Sequence, residues 1–399
     1  MTGVLLGYTI SIVSLSTKHH HKLTRNMNIE IGKTVKQREG FSAFVPNPFP
    51  PEGLFDLPQD ILIKAAEADR LVGKLDGITH TLPDVDFFLH MFVAKDAESS
   101  AQIEGTRATM MDALKKGAGL VPTATDADDI LYYIQALNYG TKRLKTLPLS
   151  SRLIREVHAK LMVGARATHF ANPGEFRTSP NWIGGTAPNN ALYVPPPAPE
   201  MHRALNDFEK FLHDEKSVLP LIHIALAHAQ FETIHPFLDG NGRTGRLIVT
   251  MLLCHRGLLE RPVLFLSSYF RRHQKVYYTR LNGYHDGDVH AWLDFFLDGV
   301  IDTANESIEI SKKIRKIRDT DMAKIQALAK RESESGVVVL PRLFREPVVT
   351  ATTVMKWTRF SRAGALKLLD RFVALGILES VQSQGQGRSF VYRRYIDVF

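Results

Sequence analysis

A chain of 399 residues with 44% apolar and 23% charged side chains is long enough for two or three packed domains and too apolar to be disordered. Its one cysteine, Cys254, excludes an internal disulfide and a thiol-rich metal site, and fits a reducing, cytoplasmic setting. The net charge of +8 favours anionic partners but is weak evidence for nucleic acid, because Lys18, Lys22 and Arg25 add to it from an acid-free stretch.

Residues 1–40 read unlike the rest. "GVLLGYTISIVSLS" is apolar but shorter than the roughly 20 residues a membrane helix needs, and no positive charge precedes it as in a signal peptide. Two readings stand: a disordered or loosely docked tail, or translation upstream of a working start at Met27. "FVPNPFPP" then gives an extended, proline-locked entry.

Helical patterns follow. "QDILIKAAEADRLVGKLDG" is expected to stop at Gly77 and "DVDFFLHMFVAKDAESSAQIEG" at Gly105, glycine suiting the left-handed turn that ends a helix. "DADDILYYIQALNYGTKRL" and "LSSRLIREVHAKLMVG" are further amphipathic helices. "FRTSPNWIGGTAPNNALYVPPPAPEM" breaks the pattern, since its "IGG" and "PNN" turns predict a β-hairpin flap ahead of a helix near Met201. "LPLIHIALAHAQFETIHPF" is apolar around almost its whole circumference, with Glu232 its only formal charge, which predicts a central buried helix ending at His235.

The turn that follows, "HPFLDGNGRTGR", holds one histidine, one carboxylate, three glycines and two arginines in twelve positions, ahead of the apolar run "LIVTMLLCHRG". Gly240, Asn241 and Gly242 precede a helix start, where free N–H groups and the positive end of the dipole collect anions. Arg243 and Arg246 sit three apart at that start, a position unfavourable for cations unless an anion is bound there too. Asp239 would repel such an anion unless a cation lay between them, which Mg²⁺ provides by taking one or two carboxylates plus phosphate oxygens. His235, with an imidazole pKa near neutrality, is placed to take a proton from an incoming hydroxyl. The set predicts phosphoryl or nucleotidyl transfer. His223 and His228 share no helical face with His235 and have no acidic partner, so they read as core histidines and not as metal ligands.

Towards the end, "ANESIEISKKIRKIRDTDMAKIQALAKRESES" is a charged helical connector. After Gly336 come three short helices and then "SVQSQGQGRSFVYRRYIDVF", two strands around a wing. This is the pattern of a winged helix-turn-helix, with Ser361 starting the recognition-type helix and Arg362 and Lys367 facing a groove. Such modules bind DNA or serve as protein docking and dimer surfaces.

"HPFLDGNGRTGR" resembles the signature of Fic-domain proteins at every element, and "SSAQIEGT" resembles that family's inhibitory motif through Ser100, Glu104 and Gly105. The motif's place ahead of the core resembles the subclass whose inhibitory helix is N-terminal. "NWIGGTAP" with "YVPPP" resembles the target-holding flap, and "KVYYTRLNGYHDGD" the segment over adenosine. The resemblance implies a mainly α Fic fold with a β-hairpin flap, and a protein adenylyltransferase that moves AMP from ATP to a Ser, Thr or Tyr hydroxyl of a target protein or of itself. His235 would be the general base, Asp239 the Mg²⁺ ligand, and Gly240, Asn241, Gly242, Arg243, Thr244, Gly245 and Arg246 the phosphate site. Ile183, Gly184, Gly185 and Thr186 of the flap, with Tyr277 and Tyr278, would line the nucleotide pocket, and Glu104 would withhold Arg246 from ATP or position water for removal of AMP. The expected division is a tail over 1–40, an inhibitory helical region over 41–115, the core over 116–305, a connector over 306–335 and the winged module over 336–399. A homodimer and DNA are further candidate partners and a membrane is not. The competing reading is a DNA-binding transcriptional regulator whose core senses nucleotide.

Overall fold

The computed structural model describes residues 29–80, 85–164, 172–214, 216–383 and 387–399. The apolar stretch 3–16, Lys18, Lys22, Arg25 and Met27 lie outside the described residues, as do 384–386 at the tip of the expected wing. Within the expected tail, residues 32–36 form a strand, β1 (Gly32–Lys36), that pairs antiparallel with β2 (Ser42–Pro46). Gly40, at φ +90°, makes the turn, Ile31 is buried, and the Phe44 N–H donates to the Val194 carbonyl at 2.8 Å. Part of the expected tail is therefore docked, a pairing too short for residue alternation to reveal.

Helices α1 (Gln59–His80), α2 (Val85–Ile103), α3 (Met110–Gly117), α4 (Ala127–Arg143), α5 (Ser151–Met162) and α6 (Ala198–His213) lead to the central pair α7 (Pro220–Ile234) and α8 (Asn241–His255). Two of these starts have side-chain caps: the Ser150 hydroxyl accepts from Leu153 N–H, and Thr109 and Asp112 close a capping box. Gly105 takes the left-handed conformation expected of it, at φ +88°, whereas α1 runs through Gly77 to His80. α7 is buried at every residue from Leu221 to Ile234, as its nearly uniform apolar surface predicts. The expected flap hairpin is reduced to one bridge between Ile183 and Tyr193 and a 3₁₀ turn at Pro188–Asn190, because its prolines and paired turns leave no run of alternating residues to pair.

Helices α9 (Leu266–Arg272), α10 (Gln274–His285) and α11 (Val289–Gln326) complete this body, α11 running as 38 continuous residues into the charged connector and stopping at Gln326. The Trp292 indole on α11 donates to the Ala225 carbonyl of α7. The next helix, α12 (Lys330–Arg345), starts before Gly336 and runs through it, and a Cβ at that position would run into Ile325 of α11. Beyond it lie β3 (Val348–Thr350), α13 (Ala351–Thr358), α14 (Arg362–Ala374), β4 (Glu379–Ser383), β5 (Gly387–Val391) and α15 (Arg393–Ile396), with the sheet ordered β3-β5-β4 and antiparallel. The Ser361 hydroxyl caps α14 as expected, accepting from Gly364 N–H, while β3 and α15 add to the predicted set. Phe344 of α12 meets Phe88 of α2 edge-on at 4.9 Å, so α2 also packs against the C-terminal elements. Among the described residues no helix is long and apolar enough to cross a membrane.

Candidate active site

The site is built where α7 stops. His235 caps α7 with φ 50° and ψ 59°, a left-handed backbone that a non-glycine residue adopts only when its surroundings impose it. Arg177 imposes it: this buried guanidinium donates to the carbonyls of His235 at 2.9 Å, Pro196 at 2.6 Å, and Ser179 and Ile234 at 3.3 Å. The Asn241 side chain closes the turn from the other end, accepting from Phe237 N–H and donating to its carbonyl, both at 2.8 Å. The Asn241 side chain is thus occupied by the turn, while its main-chain N–H stands in the first turn of α8. His158 stacks on Phe237 at 3.6 Å; its Nδ1 accepts from Gly174 N–H, so the proton sits on Nε2 and is donated to the Asp239 carbonyl at 3.0 Å. Burial pushes His158 down to about 4, in keeping with a neutral ring.

His235 faces a carboxylate one turn back, with Nδ1 3.9 Å from Glu232 Oε2. Burial of the ring and the charge of Arg177 push His235 down to about 4, below the near-neutral value expected of a free imidazole. Burial pushes Glu232 up to about 7.

The anion seat lies at the N-terminus of α8. Gly240, at φ +76°, is the cap residue, so Arg243 falls in the first turn and Arg246 in the second. Arg246 is fully engaged by the end of α2: Nη2 donates to Glu104 Oε1 at 2.7 Å and to the Ser100 carbonyl at 2.9 Å, and Nε donates to Ser100 Oγ at 2.8 Å. A Cβ built on Gly242 would run into the same Glu104 oxygen, so a carboxylate anion sits against the free N–H groups of the helix start. Arg243 points elsewhere, its Nη2 3.5 Å from Met162 Sδ and 3.9 Å from Asp239 Oδ1. Asp239 accepts from Gly240 N–H at 2.6 Å and remains half-exposed. Gly245 lies on the face turned to α7, where a Cβ would meet Glu232 Oε1, His228 and Phe231, and Thr244 is fully buried. Neither contributes a group to the seat.

The structure gathers Ser100, Glu104, Asp239, Gly240, Gly242, Arg243, Arg246 and His235 around one turn. The flap reaches it through Asn181, whose amide donates to the Phe237 and Leu238 carbonyls, while Ile183, Gly184, Gly185 and Thr186 stay exposed. Gly184 and Gly185 both sit at φ +70°. Of the tyrosine pair, Tyr277 is buried with its hydroxyl 2.8 Å from His228 Nε2, and Tyr278 is exposed. His223 is a core histidine as expected, 2.8 Å from the Phe211 carbonyl. Among the described residues no group of three or more His, Cys, Asp or Glu side chains converges for a metal. A single carboxylate at Asp239 suits an ion that takes its other ligands from phosphate and water, and does not suit an all-protein metal site. Sequence reasoning missed Arg177, His158, Asn181 and Asp96. Each acts on main-chain groups distant in sequence, for which local spacing carries no signal.

Residues 148–253 match the Fic/DOC family and residues 62–142 the Fic/DOC family N-terminal segment. The chain is 35% identical over 127 residues to Protein adenylyltransferase Fic of Aedes aegypti, a match covering 31% of this chain and 23% of that protein. It is 30% identical over 167 residues to the Drosophila grimshawi protein of the same name, covering 41% of this chain and 30% of the relative. These matches therefore span less than a third of either relative's length. A Fic family protein from Desulfovibrio desulfuricans shares the fold with TM-score 0.54 and 19% identity, over 84% of this chain and 96% of its own. A Fic domain containing signaling protein from Bacteroides thetaiotaomicron does so with TM-score 0.51 and 22% identity, over 62% of this chain and 97% of its own.

Proposed function

We propose, from the match of residues 62–142 and 148–253 to the Fic/DOC family, that the chain is a protein adenylyltransferase held off by its own Glu104. The observation that carries this reading is the Glu104 carboxylate seated on Arg246 and Gly242, an anion of this chain lying where a phosphate would lie. In this reading ATP enters with its phosphates on the N-terminus of α8, and Arg246 binds the outer phosphate once Glu104 leaves. A target hydroxyl gives its proton to His235 and attacks the α-phosphate. The new O–P bond forms as the bond to pyrophosphate breaks, and AMP stays on the target. Asp239 would hold Mg²⁺, which supplies charge neutralisation between the phosphates.

The same reading divides the chain into an inhibitory region over 41–115, the core over 116–305, the connector and a winged module over 336–399, in a cytoplasmic protein. It is favoured over a DNA-binding regulator because the family match lies in residues 62–142 and 148–253, the part of the chain that carries Glu104, His235 and the start of α8.

The test is incubation with Mg²⁺ and α-labelled ATP, followed by mass spectrometry for added AMP on the protein itself and on lysate proteins. Charge-assisted bonds of the Arg246–Glu104 type contribute about 1.5–3 kcal/mol, so Glu104→Gly should raise labelling about 10- to 10²-fold. Equal labelling of wild type and variant would rule out autoinhibition, and no AMP transfer by either would rule out the activity.

A further inference from the structure

Glu232 is the only formal charge on α7, and neither its Oε1 nor His235 Nδ1 has a partner at full hydrogen-bond geometry among the described residues, the Glu232 main-chain carbonyl being the other acceptor that faces the ring. Burying a carboxylate with an orphan oxygen costs several kcal/mol, so a purely structural role would be filled better by a glutamine or an apolar residue. The chain makes room for it instead: Gly245 of α8 has no side chain, and a Cβ there would collide with Glu232 Oε1. That collision gives the last glycine of "HPFLDGNGRTGR" a reason that phosphate binding does not.

We infer that Glu232 is a positioning residue for His235, its carboxylate accepting the Nδ1 proton so that Nε2 is left bare to receive the proton of the incoming hydroxyl. The inference rests on the adenylyl-transfer reading for its chemistry and on the Glu232–His235 geometry for its substance. A ring that takes a proton on one nitrogen must carry its existing proton on the other, and an acceptor there fixes that tautomer. At 3.9 Å the pair is one step too long for a hydrogen bond, as is common before substrate tightens a site. During transfer the hydroxyl proton passes to Nε2, the imidazolium charge is matched by the carboxylate, and pyrophosphate is the only leaving group.

A protonated Glu232 reverses the arrangement. It would donate to Nδ1 and put the ring proton on Nε2, the wrong tautomer for a base. Since burial places the Glu232 carboxyl at about 7, transfer should rise with pH through that region. The groups facing the carboxyl are Arg246 from α8, Glu104 from the end of α2, and Tyr277 and Tyr278 from α10; Arg177 and His285 face the ring. Removing Glu104 takes away one like charge and lowers the midpoint.

The experiment uses the full chain with Glu104→Gly as the active reference. Adding Glu232→Gln should cut kcat about 10- to 10²-fold, leave the KM for ATP within about twofold, and abolish the acid limb of the pH profile. Independently of activity, nitrogen NMR shifts of His235 at mildly alkaline pH, assigned by their loss in His235→Ala, should show the Nδ1–H tautomer in the reference and lose it in a Glu232→Leu variant, which has no acceptor. An unchanged tautomer, an unchanged kcat, or a loss confined to KM overturns the inference. A silent Glu104→Gly reference would instead sink the transfer reading, and the shifts would still decide the role of Glu232.

Discussion

Arg177 holds four main-chain carbonyls with one guanidinium, and two of them belong to Ile234 and His235, where α7 turns towards α8. Its burial is severe enough to push it down to about 10, so the fold tolerates a poorly solvated cation where it fixes a turn. Arg177→Ala leaves these carbonyls without donors in a closed site, and should destabilise the protein by about 2–4 kcal/mol in a denaturant titration. Arg177→Lys keeps the charge but not the planar fork, and should recover less than half of that loss. The residues of the proposed phosphate seat were legible because glycine, arginine and aspartate at a helix start have few other uses in combination. Arg177 was not, because one arginine in a loop carries no spacing, and the carbonyls it serves lie up to 58 positions away.

At the scale of elements, α2 is the part whose placement would decide the state of the site in the proposed reading. Asp96, Ser100 and Glu104 recur every four residues along it and just past its end, and so share a face. Asp96 is the anchor at one end: Oδ1 accepts from Ser267 N–H at 3.0 Å and Oδ2 from the Tyr133 hydroxyl at 2.8 Å. Burial raises its carboxyl, and the two donors and the Arg246 charge oppose the rise. Asp96→Ala should lower stability by about 2–4 kcal/mol and raise basal labelling, though by less than Glu104→Gly, since α2 would be loosened and not disarmed. Equal labelling with lowered stability would show that α2 keeps its seat without this anchor. The helices themselves were legible from apolar periodicity. The flap was not, because turn residues predict a hairpin only when flanking strands have partners, and here only Ile183 and Tyr193 pair.

Across the whole molecule, burial has been imposed on an unusual set of histidines. His90, His158, His228, His235 and His285 are all shifted below their ordinary value, each chiefly by desolvation. Below the ordinary histidine value of about 6.5 the unfolded chain binds protons at these rings that the folded chain refuses, so their contribution to stability is full above that value and lost as pH falls. Asp96 and Glu232, shifted upwards, work in the opposite sense, but they are outnumbered. The midpoint of thermal unfolding should therefore fall steadily from about pH 7 to about pH 5, and scanning calorimetry at several pH values checks the sign. Length and composition announced two or three packed domains, and apolar periodicity announced their helices. They did not reveal that the N-terminal hairpin packs on the flap, or that the C-terminal helices press on α2, since both depend on contacts between segments far apart in the chain.

The edge-on contact of Phe344 with Phe88 has a thermodynamic corollary. In the proposed reading, a ligand that displaced α12 would work against the same packing that a nucleotide would disturb in pushing Glu104 and α2 aside. Under that reading linkage would be symmetric, and the free energy with which one occupant shifted this shared wall would ease the entry of the other by an equal amount.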